Sequence, residues 1–211
     1  MPDRRRGLAF GLILAITAAT AASLATSSGA VRHEGGTRPG PWCGDARWRL
    51  ATLSDADRGR VRFNRIETDI AGLADLKPPA TIGLRRTSDF QRHSWRLRVV
   101  VDRYRIGSNG EIVLVLYSIP NAAYMDAYLP NPHCLGARTR DRTGILAARR
   151  EFTDHCPHAT AAWQLLGASV DISGIGYWNP IHTTRGALPN GAELRPLTNL
   201  TIVSGCGIAS R

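Results

Sequence analysis

The sequence predicts a mainly β domain with one or two short helices, arranged as an OB-like five-stranded antiparallel barrel. Three observations predict it. Segments of alternating or continuous apolar residues recur from Trp95 to Val203. A single well-formed helical pattern falls between the third and fourth of the long strands, giving the order strand, strand, strand, helix, strand, strand. Asn-Gly turns stand at two of the junctions. An antiparallel β-sandwich accommodates the same strands and is the alternative.

Ahead of the barrel, residues 1–30 read as an export signal. Arg4, Arg5 and Arg6 precede the apolar run Leu8 to Ile16, and a tail of small residues follows. That run is too short to span a bilayer. Residues 31–42 form a Gly- and Pro-rich lead-in, and residues 43–211 the single domain. The expected location is secreted, or at least outside the cytoplasm, with no transmembrane segment after signal cleavage. Trp48 to Leu53 alternates and reads as a short edge strand. Asp55-Ala-Asp57 opens a polar turn. Between Glu67 and Leu76, Ile70, Leu73 and Leu76 are spaced as in a short helix, which Lys77-Pro78-Pro79 stops.

The first barrel strand begins at Trp95. Leu97, Val99 and Val101 alternate with Arg96, Arg98 and Asp102. Ser108-Asn109-Gly110 turns the chain into a second strand, Glu111 to Leu116. Tyr124 to Leu129 is the third, ended by Pro130-Asn131-Pro132. Asp141 to Phe152 is the helix, with Asp141 as N-cap and Ile145, Leu146, Arg149 and Phe152 on its inner stripe. Ser169 to Trp178 is the fourth strand, in which Gly174 and Gly176 mark a bulge or bend. Glu193 to Val203 is the fifth.

The full chain has a formal charge of +10. Setting aside three Arg and one Asp in the signal leaves +8, and Lys77 is the only lysine. The arginines are spread along the chain, as composition bias alone produces. The same charge also suits an anionic polymer such as nucleic acid or an envelope glycan. Tyr104, Tyr117, Tyr124 and Tyr128, with Arg96, Arg98, Arg103 and Arg105, add a candidate basic and aromatic face. An even count of cysteines in an exported chain implies disulfides. The preferred pairing is Cys43–Cys206, joining the ends, and Cys134–Cys156, closing a local excursion. His133-Cys134 and His155-Cys156-Pro157-His158 contain zinc-ligand types, but their spacing matches no common zinc module. Cofactor and metal motifs are absent: there is no P-loop, dinucleotide fingerprint, His-Glu-x-x-His or Gly-x-Ser-x-Gly.

The richest polar cluster lies between Gly174 and Leu197, GIGYWNPIHTTRGALPNGAELRPL. His182 and Glu193 are candidate catalytic residues, as an acid–base pair. Arg195, with Asn190 and Arg185, is the candidate anion-binding group. Tyr177 and Trp178 are candidate stacking rings. The plainer account has Glu193 paired with an arginine, His182 on a surface loop and the two rings in the core.

Cys43-Gly44…Arg47-Trp48, Glu111 to Leu116, Leu129 to Cys134, Ala148 to Phe152 and this last block together carry a resemblance. The chain from Cys43 to Val203, about three quarters of it, resembles an uncharacterised family of secreted bacterial proteins. That family ends in a pattern close to GVGFFDxxHGQxGxAPNGxELHPV. The resemblance implies secretion and an OB-type barrel, and no established activity. Where the family pattern has histidines, this chain has Val113 and Arg195. Where it has acids, this chain has Tyr128 and Asn179. His182, Asn190 and Glu193 match. The losses argue for a non-catalytic binding protein. The alternative is an extracellular hydrolase of the nuclease or phosphodiesterase kind with a partly eroded site.

Overall fold

The computed structural model describes residues 43–206. The expected signal peptide and the lead-in lie outside the described residues. The described chain is mainly β, with three short α-helices. The elements are α1 (Trp48–Ala51), β1 (Arg62–Glu67), α2 (Ile70–Ala74), β2 (His93–Ile106), β3 (Ile112–Ser118), β4 (Ala123–Leu129), α3 (Arg142–His155), β5 (Gln164–Trp178) and β6 (Ala192–Ser204). All six strands belong to one sheet, in the order β1-β2-β3-β4-β6-β5, and β5 pairs again with β2. No helix among the described residues is long and apolar enough to cross a membrane.

The sheet is mixed, not wholly antiparallel as expected. β1 runs parallel to β2, and β4 meets β6 in parallel at Ala127 and Leu194. The other pairings are antiparallel. β1 escapes the hydrophobic pattern because its sequence, RFNRIE, is mostly exposed. Such a strand is held by backbone ladder bonds on an edge and needs no apolar face.

The expected strand at Trp48 to Leu53 is instead α1 and the turn after it. Leu50, Ala51 and Leu53 are buried together, a spacing that serves a helical turn as well as a short strand. Thr52 Oγ1 donates to Trp48 O at 2.9 Å and closes that turn. The second expected helix is present but shorter. Asp69 caps α2 by accepting from Gly72 N, and Ile70 and Leu73 are fully buried. α3 forms as expected behind its N-cap Asp141. Its Arg149 does not pack as an apolar group. The guanidinium donates to the carbonyls of Leu129, Pro130 and Gly110, tying α3 to the ends of two strands.

The Asn109-Gly110 turn forms between β2 and β3, with Gly110 at φ +76°. β5 departs from regular register with β6 around Gly174 and Gly176, as its glycines predict. At Gly176 a Cβ would overlap the carbonyl of Phe90. The absence of a side chain there therefore lets the 90–92 turn lie on the strand. The main core draws Leu97, Val99 and Val101 from β2, Leu114 and Leu116 from β3, and Met125, Ala127 and Leu129 from β4. Val170, Ile172, Leu194, Leu197 and α3's Phe152 complete it.

The turn at Asp55-Ala-Asp57 is an anchor. Arg86 is 1 % exposed and donates to Asp55, Leu50 O and Gln91 O. Asp57 accepts from Arg85 at 2.6 and 2.8 Å and from the Arg86 amide at 3.1 Å. These bonds fasten the 84–92 segment to the α1 region.

The disulfides are Cys43–Cys134 and Cys156–Cys206. The expected end-to-end pairing is thereby corrected. Cys134 lies in the 3₁₀ turn after β4, beside the start of the described chain. Cys156 is the C-cap of α3, and α3 packs along β6, which ends two residues before Cys206. No cysteine among the described residues is free, so the zinc reading of His133-Cys134 and His155-Cys156 lapses.

Candidate functional site

Strand alternation gathers the site. Ala127 of β4 and Leu194 of β6 are register partners, and both side chains enter the core. Their neighbours, Asp126 and Tyr128 on one strand and Glu193 and Arg195 on the other, therefore share the opposite face. Tyr177 of β5 pairs in register with Glu193 and adjoins them. The loop from Asn179 to Asn190 folds over this face and brings in His182.

The result is a cleft of about 360 Å³. Asp126, Tyr128, Asn179, His182 and Arg195 lie along its wall, and Arg105, Trp163 and Arg185 reach it from the rim. Gly186 makes the loop's close approach possible. Its φ is +91°, and a Cβ there would overlap Asp126 Oδ1.

Glu193 is the centre of the network, 1 % exposed. Its Oε1 accepts from Asn179 Nδ2 at 2.8 Å, from His182 Nε2 at 3.1 Å and from the Tyr128 hydroxyl at 3.4 Å. His182 Nδ1 lies 2.6 Å from Thr184 Oγ1. In the neutral ring, Nε2–H donates to Glu193 and the Thr184 hydroxyl donates to Nδ1. A second ring proton would reverse the bond to Thr184. Glu193 Oε2 and Asp126 Oδ1 are buried without a hydrogen-bond partner. One ligand atom from each of Asp126, His182 and Glu193 falls within 4.8 Å of the others.

The electrostatics follow from burial and neighbours. Desolvation, then the charge of Glu193, pushes Asp126 up to about 8. The hydrogen bond to Glu193 favours the cationic ring and raises His182 above its ordinary value. Burial raises the Tyr128 phenol well above its ordinary value and pushes Tyr177 up to about 12.

Arg195 is engaged from two sides. Its Nη2 donates to both carboxylate oxygens of Glu111 at 2.7 Å. Its guanidinium lies 4.5 Å from the Tyr128 ring centre and 5.4 Å from that of Tyr177. Glu111 thus takes up Nη2, while Arg195 Nε is buried without a hydrogen-bond partner. Arg105 and Arg185 form no ion pair with a described residue. Arg105 lies 4.7 Å over the exposed Trp163 ring.

The sequence-predicted residues therefore divide. His182 and Glu193 meet directly, with Arg195 and Tyr177 beside them and Arg185 on the rim. Asn190 does not join them: its Nδ2 donates to Leu73 O, Ala74 O and Leu76 O, closing the end of α2. Trp178 is buried, donates to Ser88 Oγ at 2.8 Å and packs on Phe90. The expected tyrosine–arginine face is not continuous. Tyr104 is core, its hydroxyl donating to Pro157 O. Arg96 and Arg103 are paired with Asp171 and Asp102, and Tyr117 and Tyr124 pack on each other at a tilt. Sequence reasoning missed Asp126, Glu111 and Trp163. The available signal was Asp126 itself, a lone acid inside the otherwise apolar run AYMDAYL. No protein-family model, curated protein or solved structure matches this chain.

Proposed function

We propose that this chain is an exported, disulfide-stapled binding module on an OB-like barrel, and that its cleft takes an anionic polymer. The barrel reading is supported by the cycle of pairings β2-β3-β4-β6-β5 and back to β2, with α3 between β4 and β5. Export is supported by the cationic, apolar and small-residue leader and by the two disulfides.

One observation carries the ligand class. Two arginines without an ion-pair partner among the described residues, Arg105 and Arg185, line one cleft with the exposed ring of Trp163. Cations that attract a charged backbone, beside a ring on which a base or sugar can stack, are the elements of polyanion recognition. The test is fluorescence anisotropy with a labelled single-stranded oligonucleotide and with an acidic glycan, at low and moderate salt. Binding fades with salt, and Arg105→Ala with Arg185→Ala weakens it roughly tenfold and flattens the salt dependence. Equal binding by wild type and the double variant removes the proposal.

The hydrolase reading keeps one specific support, the Thr184–His182–Glu193 chain of hydrogen bonds. It requires the oligonucleotide or glycan to be shortened by the wild type and left whole by His182→Ala.

A further inference from the structure

We propose that Asp126, His182 and Glu193 form a site for one divalent transition-metal ion, with Zn²⁺ the best match to the donors. The inference goes beyond the polyanion reading and stands without it. Three separate elements deliver the ligands: β4, the loop before β6, and the start of β6. One atom of each is within 4.8 Å of the others. Two ligands of a zinc ion, each at about 2.1 Å, are at most about 4.2 Å apart. Small rotamer adjustments therefore close the set.

The independent observation is the state of the two carboxylates. Asp126 is 2 % and Glu193 1 % exposed, yet Asp126 Oδ1 and Glu193 Oε2 have no hydrogen-bond partner. Buried acceptors are normally satisfied, because leaving one bare costs its full desolvation. Asn179, Tyr128 and His182 all bond Glu193 Oε1, which leaves Oε2 bare with a second buried acid close by. A divalent ion held among the three side chains supplies the opposite charge for both carboxylates.

The donor set selects the ion. Imidazole nitrogen favours zinc and its neighbours over magnesium or calcium, and zinc also accepts Asp and Glu oxygens. Three protein ligands beside an open cleft leave a coordination position for water or for an oxygen of a bound molecule. Asn179, donating to Glu193 Oε1, and Thr184, bonded to His182 Nδ1, are placed to orient two of the ligands. With its carboxylates neutralised, the cleft would also repel an anion less.

The test uses the oxidised protein, stripped with a chelator and titrated with Zn²⁺ alone by calorimetry. The expected result is one ion per chain, with affinity lowered roughly 100-fold or more in Asp126→Asn and in Glu193→Gln. His133→Ala and His155→Ala leave it unchanged. Circular dichroism of each stripped variant checks folding. If the carboxylate variants do not fold, His182→Ala decides, since its side chain lies on the covering loop. No uptake by the wild type overturns the proposal. So does uptake unchanged in the site variants, which would place the ion elsewhere. Polyanion binding that persists in chelator without zinc uptake would overturn this inference and leave the reading of the cleft intact.

Discussion

Arg86 and Asp55 form an ion pair from which water is excluded: their side chains are 0 % and 3 % exposed, and Nη2 lies 2.9 Å from the carboxylate. Every guanidinium nitrogen is used, with Leu50 O and Gln91 O taking the remaining bonds. Arg86→Ala strands a buried carboxylate and two carbonyls. We expect it to destabilise the protein by about 3–5 kcal/mol, read as a lower urea midpoint. Arg85→Ala, whose side chain is 65 % exposed, is expected to lose less by the same measurement.

Asp57 sets an acid limit. The hydrogen bonds from Arg85, opposed in part by burial, hold its carboxyl at about 2, below its ordinary 3.8. A carboxyl depressed in the folded state stabilises fully above its unfolded value, and that contribution is lost as pH falls through the folded one. Thermal stability should therefore drop between about pH 4 and pH 2. Asp57→Asn should melt lower at pH 6 and show a shallower drop across that interval.

The disulfide pairing predicts a peptide map. Digestion without reduction should join the peptides of Cys43 and Cys134, and those of Cys156 and Cys206. The bridges span 91 and 50 residues. Replacing either pair by serine should cost about 2–4 kcal/mol through the freed unfolded chain, measured by denaturant unfolding. Peptides linking Cys43 to Cys206 would contradict the fold.

Asn190 separates structure from binding. Asn190→Ala leaves the carbonyls of Leu73, Ala74 and Leu76 without their shared donor. A stability loss of about 1–3 kcal/mol is expected, with zinc and oligonucleotide affinity unchanged in the folded fraction. Gly186→Ala should do the reverse. A side chain at φ +91° would press on Asp126, so binding should weaken more than the melting temperature falls.

The central strands and α3 were legible because their apolar residues must be buried whatever the partners. Leu97-Val99-Val101 alternates, and the Asp141 cap and Phe152 bracket a helix on local grounds. β1 was not legible, because an exposed edge strand carries no apolar pattern, and α1 was misread because WRLATL satisfies both periods. The pairing of His182 with Glu193 was readable, since both sit on one loop-and-strand unit. Asp126 joins them only through the parallel contact of β4 with β6, a non-local register no short window contains. Asn190 and Arg195 were misjudged for one reason: each had a polar partner far along the chain, the end of α2 and Glu111. The cysteine pairing failed likewise, because sequence distance does not place α3 along β6.

β2 pairs with β5 from Ser94 to Tyr104 on one side and, on the other, with β1 up to Arg96 and with β3 from Val100. Val100, Val101 and Tyr104 have a partner strand on each side, whereas Leu97, Arg98 and Val99 pair with β5 alone. Isotope exchange at Val100, Val101 and Tyr104, inside the sheet, should therefore be among the slowest in the domain and follow its global opening. These few amides would serve as a clock for global unfolding, while β1 and the loop over the cleft exchange ahead of them.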